Sequence, residues 1–107
     1  MPAFFITLIA IGAIALSAGG AVAQDKAKIE AGEQVYSTYC STCHGLNLVS
    51  SGQTFDLRRL RADECPRFQN SVLNGKGQMH PWKGAVTDEE IDQLWQYIRA
   101  NANEKPN

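Results

Sequence analysis

Histidine and methionine are scarce in this chain, two of each in 107 residues, beside three cysteines and four prolines. That scarcity excludes much chemistry. A zinc site wants a second ligand pair at finger spacing, and there is none. No Ser-His-Asp set and no carboxylate pair stands out for hydrolysis. A formal net charge of −1 leaves no basic footprint for nucleic acid. No internal repeat or low-complexity segment appears. No alternating stretch is long enough for a sheet, so the reading is a single all-α domain.

What is present is Cys40-Ser41-Thr42-Cys43-His44. A C-x-x-C-H run is the attachment sequence of a c-type haem. On a helical turn positions i and i+3 share a face, so Cys40 and Cys43 can meet the same porphyrin edge as thioethers. His44 follows directly and can reach the iron from one side. The competing dithiol-exchange reading wants a βαβ pattern, which is absent, and the adjacent His44 suits haem better. Cys65 is left over. It reads as a small, half-buried apolar side chain, with a free thiol or an intermolecular disulfide as the alternative.

Residues 3 to 18 are almost wholly apolar, Gly19-Gly20 break the run, and Ala21-Val22-Ala23 end it with small residues. This predicts an export signal over 1–23 cleaved before Gln24, ahead of an uncleaved membrane anchor, although no basic residue precedes Lys26. Removing 23 of the 107 residues leaves 84, a domain over 24–107 small enough to need a cofactor or staple for its core.

The spacing of Ile29, Gly32, Val35, Tyr36 and Tyr39 predicts a first helix over Lys26 to Thr42, with Gly32 permitting a close helix crossing. Gly45 to Leu57 reads as a loop. Asp63 to Leu73 reads as a short helix with Pro66 in its first turn and Phe68, Val72 and Leu73 facing inward. Asn74-Gly75-Lys76-Gly77 is a turn, and Gln78 to Val86 is irregular. Thr87-Asp88-Glu89-Glu90 is a capping box opening a last helix, whose stripe is Ile91, Leu94, Trp95 and Ile98, with Tyr97 beside it.

Given haem, the second axial ligand has few sources. After the leader, Met79 is the only methionine and His80 the only other histidine. Met79 lies in a Gly- and Pro-rich loop, where it has little to pack against without a cofactor, and it is favoured over His80. One of Arg58 or Arg59 is expected on a haem propionate, the alternative being a solvated basic face. Trp82 is expected to cover the porphyrin as apolar bulk rather than to donate its indole N–H.

With these residues in hand the chain resembles a class I c-type cytochrome over roughly Ala31 to Ala102. The haem run matches at Cys40, Cys43 and His44, the distal methionine at Met79, and the helix crossing at Gly32 and Tyr36 against Leu94 and Tyr97. The resemblance implies a cytochrome c-like fold around one covalent haem c. Two departures stand out. Many members have a proline soon after the haem run whose carbonyl holds the proximal imidazole. None occurs here between His44 and Leu57, so a carbonyl near Thr54 or Phe55 is expected to do this. Where relatives often read Met-Pro-Pro, this chain reads Met79-His80-Pro81. Cys43-His44-Gly45, Ser51-Gly52 and Asp56-Leu57-Arg58 are also similar to cytochromes serving pyrroloquinoline-quinone alcohol dehydrogenases.

The function this implies is a periplasmic single-electron carrier, not an enzyme. It would take electrons from a periplasmic dehydrogenase, such as a quinoprotein alcohol dehydrogenase, and pass them toward a terminal oxidase or another cytochrome. Between Leu57 and Lys83 six basic residues stand against two acidic ones, which suits an acidic partner. The alternative is a gas-binding or peroxidatic haem protein with a labile sixth ligand.

Overall fold

The computed structural model describes residues 19–103, with side chains from Ala23 onward, and the isolated positions Ala3 and Gly12. Four helices order the described residues: α1 (Gly19–Tyr39), α2 (Ser41–His44), α3 (Cys65–Asn74) and α4 (Asp88–Ala100). Three 3-10 turns, at Leu46–Leu48, Leu57–Arg59 and Ala62–Glu64, shape the connection from α2 to α3. Among the described residues there is no strand, only isolated bridges pairing Lys76 with Met79 and Lys83 with Val86. This all-α order is the one that the resemblance implies.

The main crossing is α1 on α4. Gly32 is buried there, and a Cβ built on it would fall on the backbone carbonyl of Gln93 and 2.9 Å from Tyr97 Cβ. Only glycine lets the two backbones approach this closely. Around that point Tyr36 and Tyr97 pack with ring centroids 5.5 Å apart. Lys28 and Asp92 add an exposed ion pair at 3.6 Å, which contributes little. Val35, Tyr36, Leu94, Tyr97 and Ile98 are buried along the seam. Each large aliphatic side chain buried this way contributes about 1.5–3 kcal/mol.

The capping box of α4 is formed as its sequence predicts. The Glu90 amide donates to Thr87 Oγ1 at 3.1 Å, and the Thr87 amide donates to Glu90 Oε1 at 3.0 Å. Its expected stripe of Ile91, Leu94, Trp95 and Ile98 is buried, with Tyr97. Helix α3 carries Pro66 in its first turn and buries Phe68 and Val72, while Leu73 packs half-buried against the core. Phe68 meets Trp95 at 5.3 Å between centroids, joining α3 to α4.

The first helix differs from expectation at both ends. Among the described residues it already runs from Gly19, ahead of the expected Lys26, and Ala21 to Asp25 contain no breaker. It ends at Tyr39 rather than Thr42, because the chain bends at Cys40 (φ −109°), whose carbonyl accepts from Cys43 N at 3.3 Å and His44 N at 2.9 Å to start α2. Most of the expected leader lies outside the described residues, and its expected cleavage point before Gln24 falls within α1. No helix among the described residues is long and apolar enough to cross a membrane.

Candidate haem site

Between α1, α3, α4 and the two long loops lies one cleft of about 600 Å³. Its floor is the apolar core, including Tyr36, Leu60, Phe68, Leu94 and Ile98. That volume falls in the range of cofactor pockets, which are mostly apolar with few polar groups. Cys40, Cys43 and His44 stand on its wall, as do Met79, His80 and Trp82.

The haem run is braced from both sides. The Tyr36 hydroxyl donates to the Gly45 carbonyl, just beyond His44. Gly45 has φ +93° and lies against the Val49 carbonyl, so no side chain fits there. On the other side the Thr54 hydroxyl donates to the Cys43 carbonyl at 2.9 Å. His44 Nδ1–H donates to the Phe55 carbonyl at 3.1 Å. A carbonyl can only accept, so the proton sits on Nδ1 and the Nε2 lone pair remains available as a donor to a metal. This is the bond that the missing proline leaves to the Thr54–Phe55 segment.

Met79 is carried by a tight turn. Lys76 N donates to Met79 O and Met79 N to Lys76 O, both at 3.0 Å. The turn is pinned to the end of α3 by Trp82 N to Val72 O at 2.8 Å and Lys83 N to Leu73 O at 3.3 Å. Gly75, with φ +77°, lets the returning chain pass; a Cβ there would meet Met79 O at 2.7 Å and Pro81 N at 3.0 Å. Met79 is half-buried against the core, whereas His80 is exposed and lies on Trp82 with centroids 4.2 Å apart. Trp82 also meets Tyr39 edge-on at 5.5 Å, and both rings line the cleft.

The basic residues on the cleft wall are Arg67 and Lys76, not Arg58 or Arg59. Arg58 is turned onto Asp56, with Nε 3.3 Å from Oδ1 and Nη2 3.4 Å from Oδ2. Burial works against the charge on Asp56, but the bonds from Arg58 outweigh it and hold the carboxyl below its ordinary range. Arg67 donates to Glu64 Oε2 at 2.7 Å and lies 5.1 Å over the Phe55 ring. Arg67 and Lys76 were not legible in the sequence as wall residues, nor was the part of the Thr54 hydroxyl. The first pair depends on how α3 and the turn after it dock; for the third, the Ser- and Thr-rich loop was the visible signal.

Burial pushes the Cys40 thiol up to about 11, with Cys43 adding to the shift. Burial also raises Cys65, assisted by the Asp92 charge. Activated thiols are shifted the other way, so neither Cys40 nor Cys65 is activated by its surroundings. All three cysteines are unpaired with one another. The donor set lining the cleft fits a haem c: two sulfurs and an imidazole with a free Nε2 from the haem run, a thioether from the Lys76–Met79 turn, and an apolar floor.

A family model described as "Cytochrome C oxidase, cbb3-type, subunit III" matches residues 27–98. The quinohemoprotein alcohol dehydrogenase ADH-IIG of Pseudomonas putida is 37% identical over 86 residues, covering 78% of this chain but 12% of that protein. A cytochrome c6 of Gracilaria tenuistipitata var. liui is 32% identical over 77 residues, covering 67% of this chain and 71% of its own. A cytochrome c6 of Bryopsis maxima is 31% identical over 88 residues, covering 71% and 94%. The chain thus spans only a small part of the quinohemoprotein dehydrogenases it matches and most of the cytochromes c6. No solved structure matches. With the fold, the cleft and its donors, these matches mean that the chain belongs to the family described as cytochrome c oxidase, cbb3-type, subunit III, a family of cytochrome c electron carriers that hold haem c covalently.

Proposed function

We propose that this protein is an exported single-electron carrier with His44 and Met79 as axial ligands to one haem c bound through Cys40 and Cys43. The observation that carries the ligand assignment is the bond from His44 Nδ1–H to the Phe55 carbonyl beside the two cysteines, which leaves Nε2 as the donor. A bound haem c supplies a one-electron iron couple. Around it, Cys40 and Cys43 anchor the porphyrin edge, and His44 is held in one tautomer. The Lys76–Met79 turn presents the thioether, and Trp82 and Tyr39 line the cleft. Two protein ligands favour electron transfer over chemistry at the iron, and His/Met ligation favours a raised potential.

Arg67 and Lys76 are the proposed partners of the propionates, in place of Arg58 and Arg59. The proposed donor is a quinoprotein alcohol dehydrogenase or another dehydrogenase outside the cytoplasmic membrane, on the strength of the likeness to ADH-IIG. The proposed acceptor is a terminal oxidase or a second cytochrome. Export rests on the apolar leader over 1–23.

The test is the absorption spectrum of the oxidised protein and of its Met79→Ala and His80→Ala variants. The weak long-wavelength band of sulfur ligation is expected in the parent and in His80→Ala and lost in Met79→Ala. Rapid carbon monoxide binding by the reduced parent, or loss of ligation in His80→Ala alone, would overturn the assignment.

A further inference from the structure

We infer that Thr54 is a positioning residue for His44, and that it works through a clasp formed with Ser50. The inference rests on the reading of His44 as the iron ligand. The segment from Ser50 to Phe55 has no regular secondary structure, yet it delivers a single carbonyl to the imidazole. Its own side chains hold it in shape. Ser50 Oγ accepts from Gly52 N at 3.1 Å and donates to the Thr54 carbonyl at 3.1 Å. Gly52 has φ +91°, which permits the reversal between them.

Thr54 then reaches back to the haem run. Its hydroxyl donates to the Cys43 carbonyl at 2.9 Å, and its oxygen lies 3.4 Å from His44 Nδ1. The next carbonyl, Phe55, accepts from that same Nδ1–H at 3.1 Å. One side chain thereby ties the loop to the residue before His44 and borders the proton that fixes the imidazole. Thr54 itself is half-buried at this junction.

The consequence is electronic as well as geometric. An acceptor on Nδ1–H raises the basicity of the imidazole and strengthens donation from Nε2. Stronger donation favours the oxidised metal and lowers the reduction potential. Loosening the clasp lengthens the Nδ1–H bond to Phe55, weakens that donation and raises the potential. A merely structural threonine would alter stability without moving either quantity.

The experiment uses the haem-loaded protein and its Thr54→Val, Thr54→Ser and Ser50→Ala variants. Midpoint potential, exchange of the His44 Nδ1–H by NMR in the reduced state, and melting temperature are measured in each. Thr54→Val is expected to shift the potential upward and speed exchange, Thr54→Ser to restore both, and Ser50→Ala to move both in the same direction by less. A Thr54→Val protein that changes only in melting temperature overturns the inference, as does failure of Thr54→Ser to restore. If Thr54→Val does not accumulate, an unchanged potential in Ser50→Ala overturns it. Haem content of the parent separates the two levels. A parent without covalent haem sinks the functional reading and this inference together, whereas a loaded parent with unmoved variants sinks this inference alone.

Discussion

Gly32 of α1 lies directly under the Gln93 carbonyl of α4, where any Cβ would collide with backbone rather than with a movable side chain. The α1–α4 crossing sets the floor of the cleft, since Tyr36, Leu94 and Ile98 face it from these two helices. Alanine would gain helix propensity of about 1 kcal/mol, but the backbone contact must give way. Gly32→Ala is therefore expected to lose roughly 1–3 kcal/mol of stability, in the range of overpacked cores. Denaturant titration checks this; an unchanged or raised midpoint would mean that the helices separate at no cost.

Tyr36 makes the second prediction. Burial is the main cause that pushes its phenol up to about 12 from an ordinary value of 10.0, with smaller contributions from Cys40, while its thiol is free, and from Tyr97. A folded value above the unfolded one means the neutral phenol is held by the fold. Its contribution is complete below about pH 10 and is lost as pH rises through about 12. Tyr36→Phe removes the hydroxyl bond to the Gly45 carbonyl. It should lower stability at neutral pH by about 1 kcal/mol and flatten the alkaline decline. Melting curves between neutral and alkaline pH check both parts. A variant that declines as steeply as the parent would assign the alkaline loss to another group.

Charge on the cleft wall makes the third. Lys76 and Arg67 are exposed and line the cleft, and Lys83, exposed just after Trp82, adds a cation outside its wall. If these cations steer an acidic partner, reduction by an anionic donor slows as salt rises. Lys83→Glu, outside the cleft wall, should then slow the low-salt rate several-fold and flatten the salt dependence. Stopped-flow reduction across ionic strength measures it. Parent rates that ignore salt would remove steering from the account.

Much of this molecule was legible in its amino acids, because the informative signals were local. The capping box at Thr87, Pro66 in the first turn of α3, and the spacing of Ile91, Leu94, Trp95 and Ile98 each act within a few residues. Gly32 was legible as a crossing point because glycine in a helix interior has a cost that packing must offset. The need for a carbonyl near Thr54 or Phe55 followed from the absent proline, and the Phe55 carbonyl meets it. Three features were not legible. The bend at Cys40 hands its carbonyl to the amides of Cys43 and His44 at the start of α2, and no glycine or proline marks that point in the sequence. The turning of Arg58 onto Asp56 pairs two residues whose spacing in the chain does not fix where their side chains point. The approach of Arg67 and Lys76 to the cleft depends on how α3 and its following turn dock, which no nearby residue encodes.

The most direct measurement of the central claim is the mass of the intact protein recovered from an oxidising compartment of a host that assembles c-type cytochromes. It should be compared with its Cys40→Ala/Cys43→Ala double variant after acid extraction of loose cofactor. The expected result is one haem covalently retained per chain in the parent and none in the variant. A parent polypeptide carrying no added haem, or a double variant that still retains it covalently, would contradict the account.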